Sequence, residues 1–161
     1  MIEGHTPDQV TPTLRVASFK DKGEIIRLIH EYWKRSPYTQ YSFNKEKLFK
    51  HADHMLLDRQ NHIFLLSVDE NDPDDIKGML IGVKRQFPFS DDWCSIELFW
   101  FVENDDKRRG LELFKGFEGW SKLVGCKFVQ YGKMQLDEVY DDNPVKEKYR
   151  QMETIYQKRV K

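Results

Sequence analysis

Residues 94–124, CSIELFWFVENDDKRRGLELFKGFEGWSKLV, read as a strand, a polar loop and a helix. Residues 94–102 are rich in aromatic and β-branched side chains, the composition of a strand. Residues 103–109 form the loop. Gly110 is expected to open the helix, whose apolar positions Leu113, Phe117, Trp120 and Val124 recur every three or four residues. Three cations, Lys107, Arg108 and Arg109, beside a glycine at a helix start have the chemistry of an anion site. Unpaired N–H groups point outward there, the helix dipole is positive, and glycine lets a ligand approach the backbone. The same residues also fit an ordinary strand-to-helix turn whose charges face water.

Upstream, residues 1–13 hold two prolines and few apolar residues and read as a flexible N-terminal tail, leaving 14–161 as a single domain. Residues 14–18 alternate as a short strand. A helix over 22–35 carries Ile25, Ile26, Ile29, Tyr32 and Trp33 as its buried stripe. Residues 36–42 (SPYTQYS) form a turn-rich linker bearing Tyr38 and Tyr41. Asn44 caps a second helix over 45–58. HIFLLSV (62–68) is a near-continuous apolar run, which suits a strand buried on both faces. With IKGMLIGVKR (76–85) it forms a hairpin across the acidic turn 69–75. Gly78 and Gly82 mark bends or close backbone approach. Downstream, Gly125 terminates the helix, 127–134 is a strand parallel to 94–102, Pro144 starts a short helix to about 151, and 152–160 closes the chain as a strand. The order is β-α-α-β-β-β-α-β-α-β.

At 161 residues, 39% apolar and 14% aromatic, the chain has the material for one real core. A formal net charge of −1 carries no global basic signature, so nucleic acid is not expected as a partner. The six cations of the C-terminal stretch (Lys146, Lys148, Arg150, Lys158, Arg159, Lys161) read as solvated surface. No apolar run is long enough for a membrane span, and the N-terminus lacks the marks of a secretory signal. Cys94 and Cys126, with no CxxC spacing, read as reduced thiols of a cytoplasmic protein. His51 and His54 have helical i, i+3 spacing, with Asp58 as a third ligand, but they read as solvent-facing and no metal is expected. The acidic turn 69–75 does not keep calcium-loop spacing.

Val102, Lys107, Gly110 and Leu111 are spaced as in the acetyl-CoA loop of the GCN5-related N-acetyltransferases (GNAT), which the element order also resembles. That family has a strand ending in Val, about four loop residues, then Arg/Gln-x-x-Gly-x-Gly/Ala entering a helix. Here the last part is KRRGLE: Lys107 replaces Arg or Gln, and Glu112 replaces the second small residue. The resemblance implies an α/β (α+β) fold, with a mixed, mostly antiparallel sheet flanked by helices. It also implies acetyl transfer from acetyl-CoA to a primary amine, on a small molecule or on a protein lysine or N-terminus, by direct attack on the thioester.

By the same resemblance, Lys107, Arg108, Arg109, Gly110 and Leu111 would hold the pyrophosphate. The backbone of Phe101 and Val102 would pair with the pantetheine arm, and Asn143 would join the cofactor set. Glu97 would be the base and Tyr149 the acid for the leaving thiolate, with Tyr140 in reserve. Strand alternation sets Glu97 with Phe99 and Phe101, where desolvation would raise its pKa into a useful range; a surface ion pair is the other reading. Asp91, Asp92, Asp137, Glu138, Asp141 and Asp142 could attract a cationic acceptor, or be ordinary solvated loop charges. The linker with Tyr38 and Tyr41 would shape the acceptor pocket. The last strand of such folds often pairs between protomers, which allows a homodimer. The Gly-Phe of the family's closing Tyr-x-x-x-Gly-Phe turn is missing. That absence and Glu112 keep open a non-catalytic binding or interaction protein on the same fold.

Overall fold

A computed structural model describes residues 13–137 and 150–160. Their strands form a sheet in the order β1 (Leu14–Val16), β2 (His62–Val68), β3 (Ile76–Gln86), β4 (Trp93–Val102), β5 (Phe128–Met134) and β6 (Glu153–Arg159). Neighbouring strands run antiparallel except β4 and β5, which are parallel. This is the mixed, mostly antiparallel sheet expected. The helices are α1 (Lys22–Arg35), α2 (Lys45–Leu57) and α3 (Lys107–Leu123). The tail 1–12, residues 144–149 of the helix expected to about 151, and the candidates Tyr140, Asn143 and Tyr149 lie outside the described residues, as do Glu138, Asp141, Asp142, Lys146 and Lys148; Arg150 and Gln151 are described and are not helical.

Helices cover both faces of the sheet. On one side α1 and α2 bury Ile25, Leu28, Ile29 and Leu56 against Phe64, Leu66, Met79 and Ile81. On the other, α3 buries Leu113, Phe117 and Trp120 against Ile63, Leu65, Leu80 and Val129. Strands β2 and β3 lie between the layers, which is why residues 63–66 and 79–83 are apolar on both faces. Gly82 is required by this packing: a Cβ there would stand 2.3 Å from Phe117 Cε2. Gly116 on α3 is less tightly confined, with Leu14 Cδ2 at 2.8 Å and Leu65 Cδ1 at 3.1 Å from such a Cβ, whereas Gly119 faces open space and has no such reason.

Local signals set the element ends. The Asn44 side chain accepts the Lys47 N–H and starts α2. Gly125, at φ 81°, ends the segment after α3 in a conformation that favours glycine. Start of α3 differs from expectation. The helix begins at Lys107, because the Asp106 carboxylate accepts the N–H groups of Arg108 and Arg109 at 3.0 and 3.2 Å. Gly110 therefore lies inside the first turn and does not open it.

Candidate active site

Three residue pairs join β4 to β5: Cys94–Phe128, Ser95–Val129 and Ile96–Gln130. Beyond them the parallel strands part. From residue 97 to 102, β4 stays paired only with β3, and from 131 to 134 β5 stays paired only with β6. Among the described residues no strand pairs with that edge of β4, which has the geometry to pair with an extended ligand, as a strand would.

Glu97 stands at the fork. Its Oε2 accepts the Gly132 N–H at 3.2 Å, across the point of separation. Burial is the main cause that pushes its carboxyl up to about 7; the Gly132 N–H opposes this, and the charge of Glu153 adds to it. Glu153, the first residue of β6, accepts the Tyr38 hydroxyl, and its Oε2 lies 2.6 Å from where a Cβ on Gly132 would be. Two carboxylates thus face one glycine. Burial raises the phenol of Tyr32, with Glu97 and Glu153 adding to the effect; burial and the bond to Glu153 likewise raise Tyr38.

A β-bulge changes the face on which Glu97 was expected. Ile81 pairs with Phe99 but Gly82 pairs with Glu97, so Leu98 is an extra residue in β4. Leu98, Phe99 and Phe101 all pack toward α1 and α2, while Trp100 and Val102 pack toward α3. Glu97 is opposite Gly82, whose missing Cβ would point at Phe117, so it does not share a face with Phe99 and Phe101.

Two clefts flank the fork. One, of about 380 Å³, runs between β4, the start of α3 and the end of β5, and Phe101, Val102, Lys107 and Gly110 line it. Tyr32 and Arg35 of α1 also line it, and the Arg35 guanidinium lies 5.2 Å from the centre of the Phe101 ring. The other cleft, of about 520 Å³, lies between α1, the 36–44 segment, α2 and β4, and Glu153 reaches it from β6. Tyr32 belongs to the walls of both, while β4 gives Leu98 and Phe99 to the larger cleft and Trp100, Phe101 and Val102 to the smaller.

The remaining loop residues are placed differently. Arg109 donates to Ser67 Oγ at 3.0 Å and to the Val68 carbonyl at 2.8 Å, which ties α3 to β2. Arg108 faces Glu112 and Glu70 at 3.3 and 3.6 Å, and Leu111 is exposed. Glu112 is engaged by Thr13 and Arg108 and is not among the residues lining either cleft. The α3 N-terminus therefore offers Lys107 to an anion, but its Arg108 and Arg109 amides already serve Asp106. Sequence reasoning missed Arg35 and Glu153. Both are distant in the chain from the quoted stretch, and no local motif marks them.

Among the described residues, no group of three or more His, Cys, Asp or Glu side chains is placed to hold a metal ion. No described helix is long and apolar enough to cross a membrane.

No family model matches the sequence, and comparison with curated proteins finds none similar. Solved structures do match. A GNAT-family acetyltransferase of Staphylococcus aureus Mu50 is 14% identical, with a TM-score of 0.65 over 92% of this chain and 98% of that one. Glucosamine-6-phosphate N-acetyltransferase of Arabidopsis thaliana is 15% identical, with a TM-score of 0.58 over 73% and 79%. An aminoglycoside acetyltransferase from an uncultured soil metagenomic sample, solved with sisomicin, is 16% identical, with a TM-score of 0.57 over 77% and 78%. The parted parallel strands, the helix that follows β4 and these likenesses agree: the fold is that of the GCN5-related N-acetyltransferase superfamily.

Proposed function

We propose that the protein is an N-acetyltransferase that moves an acetyl group from acetyl-CoA to a primary amine. The observation that carries the reading is the fork itself: a β4 edge with no strand partner among the described residues, beside a partly buried carboxylate whose pKa is near neutral. Acetyl-CoA would supply an activated acyl group. The β4 amides that no described strand pairs would align its amide-bearing arm, and Lys107 and Arg35 provide cations for its phosphates. Glu97 would accept the proton of the attacking amine, directly or through water, as the C–N bond forms and the C–S bond breaks. Tyr32, kept protonated by burial and nearby carboxylates, is the described phenol common to both clefts and could return a proton to the thiolate.

A second reading has a specific observation behind it. Asp106 occupies two amides at the start of α3, and Glu103 and Asp105 stand beside it. This negative charge opposes a pyrophosphate and favours a GNAT-fold binding protein without turnover. Titration calorimetry with CoA and acetyl-CoA separates the two. The transferase reading expects heat with both, slow thiol release from acetyl-CoA, and weaker binding in a Lys107→Ala, Arg108→Ala variant. Absence of heat with either ligand would sink it.

The buried thiols Cys94 and Cys126, both free, support a reducing, cytoplasmic setting. On the described residues β6 is an edge of the sheet, with Ile155 and Tyr156 exposed, and it is the strand through which a homodimer would pair.

A further inference from the structure

The cleft between α1, the 36–44 segment and α2 is walled by rings. Trp33 and Phe43 lie 5.5 Å apart, Tyr38 and Tyr41 6.4 Å apart, and Tyr32 meets Phe99 edge-on at 5.4 Å. The Trp33 indole N–H donates to the carbonyls of Tyr38 and Tyr41 at 3.0 and 3.2 Å. The Ser36 side chain accepts the Tyr38 N–H and donates to the Trp33 carbonyl. These bonds hold the tyrosine segment on α1, so the aromatic walls exist before any ligand arrives. Among the described lining residues Glu153 is the one carboxylate; Glu97 lines neither cleft but lies near enough for the Glu153 charge to act on it, and both approach Gly132. Lys47 and His51 of α2 also line the cleft, but α2 packs on β2, at the opposite side of the sheet from β6.

We infer that this cleft takes a small monoamine on an aromatic body, with the ring between Trp33, Tyr41 and Phe99 and the ammonium at Glu153. The inference relies on the acetyltransferase reading for the amine's fate but not for its binding. An ammonium beside a carboxylate and aromatic faces gains both charge-assisted hydrogen bonds and cation–π attraction. The volume, about 520 Å³, is in the range of small-ligand pockets. A sugar phosphate would find donors from α2, Lys47 and His51, but would meet rings along the rest of the wall and the Glu153 carboxylate at the β6 end. A polyamine would find a single described carboxylate for several charges.

Binding of 2-phenylethylamine, 2-phenylethanol, spermidine, glucosamine 6-phosphate and a lysine-containing peptide is measured calorimetrically on the full chain, with and without CoA. The amine should bind at least roughly 10-fold tighter than the isosteric alcohol and than the other three. Glu153→Gln, which keeps an acceptor for the Tyr38 hydroxyl, should erase the difference between amine and alcohol. Tyr41→Ala should weaken both by several-fold (about 3 to 10). Equal binding of alcohol and amine, tighter binding of spermidine, sugar phosphate or peptide, or an unchanged preference in a folded Glu153→Gln would each overturn the inference. A chain that binds phenylethylamine but not acetyl-CoA keeps this site and loses the transferase reading. One that binds acetyl-CoA but no aromatic amine does the reverse.

Discussion

The Glu97 carboxylate receives the Gly132 N–H across the point where two parallel strands separate. That single bond holds a titratable group at the fork, while the surroundings penalise its charge. The pKa near 7 has a direct consequence for stability. The folded value is raised above the ordinary carboxyl value, so the folded state holds the proton more tightly than the unfolded chain. Stability should therefore fall as pH rises from about 4.5 to about 7, by an amount on the order of 2–3 kcal/mol. Urea titrations across that range should show this slope in the native chain and its loss in Glu97→Gln. If the enzyme reading holds, kcat/KM should rise with pH through the same value and flatten in the variant.

Asp106 should have two opposite effects. Its carboxylate caps α3, so Asp106→Ala should cost about 1 kcal/mol of stability. The substitution also frees the Arg108 and Arg109 amides and removes a negative charge beside Lys107. Affinity for CoA should rise while the melting temperature falls, and calorimetry with thermal denaturation would show both.

Gly82→Ala should destabilise by about 1–3 kcal/mol, because its new methyl would overlap the Phe117 ring in the packed layer under α3. Gly119→Ala, in open space on the same helix, should raise stability by a few tenths to about 1 kcal/mol through helix propensity. Denaturant midpoints of the two variants should move in opposite directions.

Arg15 grips Asp21 with two bonds of 2.8 Å at the entry to α1. Burial alone would raise the Asp21 carboxyl, but Arg15 and Ser18 outweigh it and hold it below the ordinary value. The stabilising contribution is thus present above about pH 4 and is lost as pH falls through the folded-state value. Asp21→Asn should cost about 3 kcal/mol at pH 7, since it leaves a largely buried guanidinium without its charge partner. The penalty should shrink in acid, which an unfolding series down to pH 2 would reveal.

Much of this architecture is readable from residue order. Ile25, Ile26 and Ile29 repeat at helical spacing, Asn44 precedes a helix it does cap, and HIFLLSV has the near-continuous apolarity of a strand covered on both faces. The details of the site are less so. A bulge at Leu98 adds one residue with no distinctive side chain, yet it reverses the alternation on which the facing of Glu97 depended. The Asp106 cap was within reach of N-cap preferences, but the three following cations drew the helix start toward Gly110. Arg35 and Glu153 enter the clefts from the first helix and the last strand, through packing that no local window contains.

The short seam between β4 and β5 also governs how the molecule breathes. The β5–β6 hairpin is held to the rest of the sheet by three strand pairs, with Val129 and Val160 anchored under α3. It should form its own unit of local opening, exchanging amide hydrogens faster than β2 and β3. A ligand lying in the fork would stitch the two pieces together. Its binding should then appear as slowed exchange along residues 131–134, remote in sequence from the helix that receives its charge.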